Sequence, residues 1–139
     1  MTHCSAVQIS RRHILTAAHC VLDDKLDDEQ RETVCGPLRK FINPKSVPNL
    51  FYKPLKHIEA YATSSHAGRL RYQDQSNLVK LEIEGLPYVH KEYDPCTLDN
   101  DIALIELKSN VPREVGSPIC MRENEELADK LTSVGYGLD

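Results

Sequence analysis

Ile14-Leu15-Thr16-Ala17-Ala18-His19-Cys20 is the stretch on which the reading of this chain turns. A short β-prone run, Ile14 to Thr16, stops at two alanines, and a histidine and a cysteine follow at once. Alanine side chains add almost no bulk, so a backbone turn at Ala17 and Ala18 packs closely and holds His19 at a fixed angle. A histidine held rigidly at a strand end is suited to proton transfer near neutral pH. Taken alone, a histidine after an apolar run is usually structural. Upstream, Cys4 to Ser10 alternates, with Ala6, Val7 and Ile9 set among Ser5, Gln8 and Ser10. Ser10-Arg11-Arg12-His13 reads as a polar turn and Ile14 to Thr16 as the return strand. A β-hairpin ending at His19 results. Cys4 opens one of its strands and Cys20 follows the other, so the two are expected to pair.

Downstream, Val21 to Glu32 is acidic and reads as a solvated loop or a short exposed helix. Thr33 to Lys56 carries Pro37, Pro44, Pro48 and Pro54, which exclude a long helix, and reads as an irregular insertion. Strands are expected over His57–Thr63, around Leu70 and Tyr72, and over Asn77–Glu84, where Gly85 and Pro87 end the pattern. A turn is expected over Ser64–Gly68. Tyr88 to Asn100 is polar and turn-rich. Asp101 to Leu107 reads as a buried strand, with Ile102, Leu104, Ile105 and Leu107 apolar and a carboxylate at its head. Asn110 to Cys120 is an extended linker, Glu123 to Lys130 a short helix, and Leu131 to Gly137 the start of another strand. Many short strands between polar turns make the fold class all-β, a barrel or sandwich.

A chain of 139 residues is about one domain's worth. The net charge of -4 comes with no basic block, so neither a nucleic-acid nor a membrane partner is expected. No apolar run reaches membrane-spanning length, and Met1-Thr2-His3-Cys4 leads straight into a strand, so either a secretory leader lies upstream or the protein stays inside the cell. The five cysteines are widely spaced and form no CxxC pair, which favours an extracellular disulfide framework over a zinc finger or a redox motif. The odd count leaves one thiol free or paired outside this sequence. His3, Cys4, His19 and Cys20 supply zinc-ligand types, but their spacing matches no established zinc pattern.

The second chemical stretch is Asp99-Asn100-Asp101-Ile102-Ala103-Leu104-Ile105. An aspartate before an apolar strand is often a mere turn residue. Together with the first stretch it says more, because the two resemble the trypsin-like, chymotrypsin-fold serine proteases. Thr16 to Cys20 is similar to the family's histidine signature, and Asn100 to Leu104 to its aspartate signature. Cys4 to Ser10 looks like the strand carrying the histidine loop's disulfide partner. Val115 to Met121, with Pro118-Ile119-Cys120, resembles the linker between the family's two barrels. Val134-Gly135-Tyr136-Gly137 is similar to the glycine-bracketed strand that opens the second barrel. The long proline-rich insertion with Cys35 marks a divergent member, of a kind found in invertebrate branches of the family.

The resemblance implies an antiparallel Greek-key β-barrel over residues 1–118, lacking its first strand. Residues 119–139 would be the inter-barrel linker and the first strand of a truncated second barrel. It implies His19 as general base and Asp101 as its orienting partner, within about 2.6–3.2 Å of each other. Cys35 is then expected to pair with Cys96, since one follows His19, the other precedes Asp101, and both loops flank one site. Cys120 is left over. No cofactor and no metal are expected, including calcium, since His66 to Ser76 holds one clear carboxylate, Asp74. The expected substrates are proteins or peptides, and the expected location is extracellular.

The family's nucleophile stands in a Gly-Asp-Ser-Gly-Gly loop. Ser5, Ser10, Ser46, Ser64, Ser65, Ser76, Ser109, Ser117 and Ser133 all lack that setting. The chain is therefore expected to be the first barrel and linker of a serine endopeptidase, inactive as given, with the serine-bearing second barrel as its missing partner. The alternative is a non-catalytic, protease-like module that binds proteins. A cytosolic zinc protein is a distant third reading.

Overall fold

The computed structural model describes residues 4–24, 28–37, 52–54, 58–63, 78–120, 129–132 and 135. Its architecture is the expected antiparallel β type. The central sheet has four strands in the order β1-β2-β8-β7, with β1 at Val7–Gln8, β2 at His13–Thr16, β7 at Tyr88–Val89 and β8 at Ala103–Glu106. Two further sheets are two-stranded. One pairs β3, Leu22–Asp24, with β4, Tyr52–Pro54, and the other pairs β5, Ala60–Ala62, with β6, Val79–Leu81. Among the described residues these sheets do not close into a barrel. The chain after β6 nevertheless runs on to the end of β8, through an antiparallel bridge between Ile83 and Leu107. Backbone bonds from Glu84 N–H to Glu106 C=O at 2.8 Å and from Lys108 N–H to Glu82 C=O at 2.9 Å hold that junction.

The hairpin of β1 and β2 pairs Val7 with Leu15 and Gln8 with Ile14. Its turn is tied locally, with Ser10 Oγ 2.7 Å from His13 Nδ1. Thr16 Oγ1 donates to the Ser5 carbonyl at 2.9 Å, fastening the end of β2 to the start of the chain. Side chains alternate across β8, so one parity is buried. That parity is Ala103, Ile105 and Leu107, which join Ile14, Ala18, Val21, Leu22, Tyr93 and Val111 in the core. The strand is not buried on both faces as its apolar run suggests. Ile102 is 40 % exposed and Leu104 only half-buried, because a period of two forces the small Ala103, rather than Ile102, inward.

Two further departures concern the insertion. A helix, α1, spans Asp28–Cys35 and so crosses from the acidic stretch into the region read as irregular. Glu29, Gln30, Arg31 and Glu32 are good helix formers, and acids in the first turn suit the positive end of the helix dipole. The helix stops at Gly36, whose N–H donates to the Glu32 carbonyl at 2.7 Å. A Cβ at Gly36 would lie 2.2 Å from that carbonyl oxygen, so the close approach requires glycine. Strands β3 and β4 were not legible, because they pair across a long separation and include residues of low β propensity. Within the stretch read as polar and turn-rich, Tyr88 and Val89 form a strand by pairing with Leu104 and Ala103.

The strand expected around Leu70 and Tyr72, the turn over Ser64–Gly68 and the calcium reading of His66–Ser76 lie outside the described residues, as does His3. The helix expected over Glu123–Lys130 lies outside them except for Asp129 and Lys130, which form a bend. Of the strand expected over Leu131–Gly137, the described Leu131, Thr132 and Gly135 carry no strand. No helix among the described residues is long and apolar enough to cross a membrane.

Candidate active site

Register brings the two chemical stretches together. β2 and β8 run antiparallel, with Ile14 opposite Ile105 and Thr16 opposite Ala103. Two residues beyond the last pair, Ala18 comes level with Asp101. The chain leaves β2 at Thr16 and turns through a single 3-10 turn, Ala18–Cys20. Ala18 is 0 % exposed and belongs to the core. Its burial fixes the backbone, and the next side chain, His19, points to solvent above Asp101.

The Asp101 carboxylate receives His19 twice. The backbone N–H of His19 donates to Oδ1 at 2.9 Å, and Nδ1 lies 2.6 Å from Oδ2. The His19 side chain is 51 % exposed and that of Asp101 only 19 %. Burial pushes the Asp101 carboxyl up, and this is the largest single influence on it. The backbone N–H of His19, its ring hydrogen bond, its charge and the backbone N–H of Ala18 together outweigh it, so the group sits below its ordinary value. An ionised carboxylate only accepts hydrogen bonds, so Nδ1 must carry the proton. In the neutral ring Nε2 then carries the free lone pair.

The loop before Asp101 is shaped to present it. Asn100 adopts the left-handed conformation with φ 54°, which asparagine tolerates better than most residues. Its Nδ2 donates to the Glu92 carbonyl at 3.0 Å, and its own carbonyl accepts from Ile102 N–H at 2.7 Å. Leu98 is also left-handed, at φ 60°. The loop closes through Asp94 N–H to Asp99 C=O at 2.9 Å, Cys96 N–H to Asp94 Oδ1 at 2.9 Å, and Thr97 Oγ1 to Asp99 Oδ2 at 2.7 Å. The sequence signalled Asn100 through its place before Asp101. It gave no sign of the contribution from Ala18 N–H, which arises from the turn alone.

Both disulfides brace this site. Cys4 and Cys20 are bonded with Cα atoms 6.2 Å apart, and the bridge ties the histidine turn to the segment that precedes β1. Cys35 and Cys96 are bonded with Cα atoms 5.4 Å apart, and that bridge ties the end of α1 to the loop before Asp101. Cys120 is exposed and unbonded. Cys20 Sγ lies 3.4 Å from His19 Nε2. A disulfide sulfur has no proton to give, so this contact is packing. Residues 55–139, more than half of the sequence, match the family model described as Trypsin. The chain belongs to the trypsin family. The family is one of serine proteases, which are hydrolases acting on proteins. The match includes Asp101 and the loop before it, whereas His19 and its turn precede it. The His19 turn is tied to the matched part of the chain by its two hydrogen bonds to Asp101.

Proposed function

We propose that this chain supplies the base and the orienting carboxylate of a serine endopeptidase. His19 Nε2 would take the proton from a serine hydroxyl as it attacks a peptide carbonyl, and would return it to the leaving amine. Asp101 would hold the tautomer that leaves Nε2 free and would stabilise the imidazolium formed midway. The observation that carries this reading is the double hydrogen bond from His19 to a carboxylate held below its ordinary pKa. The nucleophile and the backbone donors for the oxyanion would come from a Gly-Asp-Ser-Gly-Gly segment outside this sequence. On this reading residues 1–118 form the first barrel, 119–139 belong to the linker and second barrel, and the protein works outside the cell, where its two disulfides persist.

A second reading is a protease-like module that binds proteins without cleaving them. One experiment separates the two. Residues 1–139 are secreted from a host alone, and also joined to whatever the reading frame encodes beyond Asp139, then assayed on a general peptide substrate. The expected result is no enzymatic turnover by 1–139 alone and clear turnover by the extended chain. His19→Ala should abolish that turnover, and Asp101→Asn should lower it about 10⁴-fold. Turnover by 1–139 alone, lost in His19→Ala, would overturn the external serine. An extension that lacks the motif or stays inactive would transfer the case to the binding module.

A further inference from the structure

Cys4 Sγ, Cys20 Sγ and a ring nitrogen of His19 all lie within 4.8 Å of one another. The nitrogen facing Cys20 is Nε2, at 3.4 Å, and in the neutral ring with its proton on Nδ1 it is the one with a free lone pair. A tetrahedral zinc ion with Zn–S of 2.3 Å and Zn–N near 2.0 Å sets its nitrogen and sulfur about 3.5 Å apart and two sulfurs about 3.8 Å apart. The His19–Cys20 spacing is therefore already that of a zinc site. While the bridge stands, its sulfurs are poor ligands. We propose that reduction of Cys4–Cys20 turns this corner into a zinc site held by Cys4 Sγ, Cys20 Sγ and His19 Nε2, with a fourth position open to water.

The chemistry balances with a dithiol as reductant. It gives two electrons and two protons to the Cys4–Cys20 bond and becomes a disulfide itself, leaving two thiols. Zinc displaces both thiol protons to solvent, and two thiolates and one imidazole donate to it. Cys4 and His19 are exposed and Cys20 is half-buried, so both reductant and ion have access. Moving the two sulfurs apart needs rotation of the exposed Cys4 side chain. The second shell is already in place, because Nδ1–H donates to Asp101 Oδ2 at 2.6 Å. A carboxylate behind a histidine in this way fixes the ring and strengthens Nε2 as a ligand. Binding itself follows from the geometry. Its consequence, capture of the base and silencing of the site, rests on the proteolytic reading.

The test maps thiol protection. The chain is reduced with a dithiol, freed of it by gel filtration, and alkylated with iodoacetamide with and without zinc, and each cysteine is followed by mass spectrometry. Zinc should slow alkylation of Cys4 and Cys20 about ten-fold or more, and leave Cys35, Cys96 and Cys120 unaffected. His19→Ala should lose that protection, and His19→Cys, which keeps a ligand atom, should retain it. Asp101→Asn should raise the zinc concentration for half-protection about 10–100-fold. Lack of protection, equal protection of all five cysteines, or protection unchanged in His19→Ala would overturn the proposal. None of these outcomes touches the proteolytic reading, which is tested by turnover of the oxidised chain.

Discussion

Asp101 is a small group under opposed forces, and the balance is measurable. Desolvation raises its pKa, while two backbone N–H groups and the His19 ring lower it further than burial raises it. A carboxyl whose folded pKa is depressed adds stability that is fully present above its unfolded value, about 3.9 for aspartate. That contribution is lost as pH falls through the lower, folded value. The oxidised chain should therefore lose stability across this acid window. Asp101→Asn should flatten that part of the curve, besides lowering stability at neutral pH, because an amide replaces one acceptor oxygen with a donor facing N–H groups. Denaturant melts of both proteins from neutral pH into this acid range check it. Coincident pH dependences would show that Asp101 is not held as an anion by the histidine turn. The exposed pair of Glu59 and Lys80 offers a contrast. Its hydrogen bond lowers Glu59 and raises Lys80, but both side chains are more than half exposed, and solvent screens the pair.

At the scale of elements, strand parity explains why β8 contributes to the core as it does. Leu107 is 1 % exposed, whereas Ile102, in the same apolar run, is 40 % exposed. Leu107→Ala should cost about 2–5 kcal/mol, by lost transfer energy and the cavity left behind. Ile102→Ala should cost a fraction of that, although isoleucine is no smaller a residue. Chemical unfolding of the two variants under one condition makes the comparison, and equal losses would refute the assigned parity. Ala18 carries the same lesson in reverse. Two alanines in sequence look interchangeable, yet only Ala18 sits in the core, while Ala17 is half-buried at the entry to the turn. The helix α1 shows how far local signals reach. Its helix formers and Gly36 favour it locally, the Cys35–Cys96 bridge fixes its end to the rest of the fold, and the prolines of that region all lie after it.

Across the whole molecule, the two disulfides divide the work of bracing. Cys4–Cys20 spans 16 residues and Cys35–Cys96 spans 61. In the chain-entropy view, closing such loops stabilises by about 3 and about 4 kcal/mol respectively. The longer bridge also joins the inserted helix to the loop that presents Asp101. A Cys35→Ser, Cys96→Ser double variant should lose about 4 kcal/mol and exchange its amide hydrogens faster between Cys96 and Asp101. Hydrogen exchange followed by mass spectrometry reads both effects. Unchanged protection of that loop would mean that the hydrogen bonds of Asp94, Thr97 and Asp99 hold it without the bridge.

The sequence alone determined the broad architecture and the two candidate site residues. Alternation over Val7–Ile9 and around Ile105, with turn residues between, dictated antiparallel strands, because a period of two is written into adjacent residues. The Ala17-Ala18-His19-Cys20 and Asn100-Asp101 stretches singled out His19 and Asp101 as candidates, through their joint resemblance to the family's two signatures. Tertiary structure alone decided what depends on distant pairing. The β2–β8 register carries His19 to Asp101, and the 3-10 turn aims the backbone N–H groups that hold the carboxylate as an anion. It also decided that β3 and β4 exist, that Ala103 rather than Ile102 faces the core, and that Cys20 Sγ rests against Nε2. Local sequence encodes propensity and periodicity. Contacts between residues far apart in the chain are fixed only when the whole apolar surface is buried at once, and the geometry of the candidate site consists of such contacts.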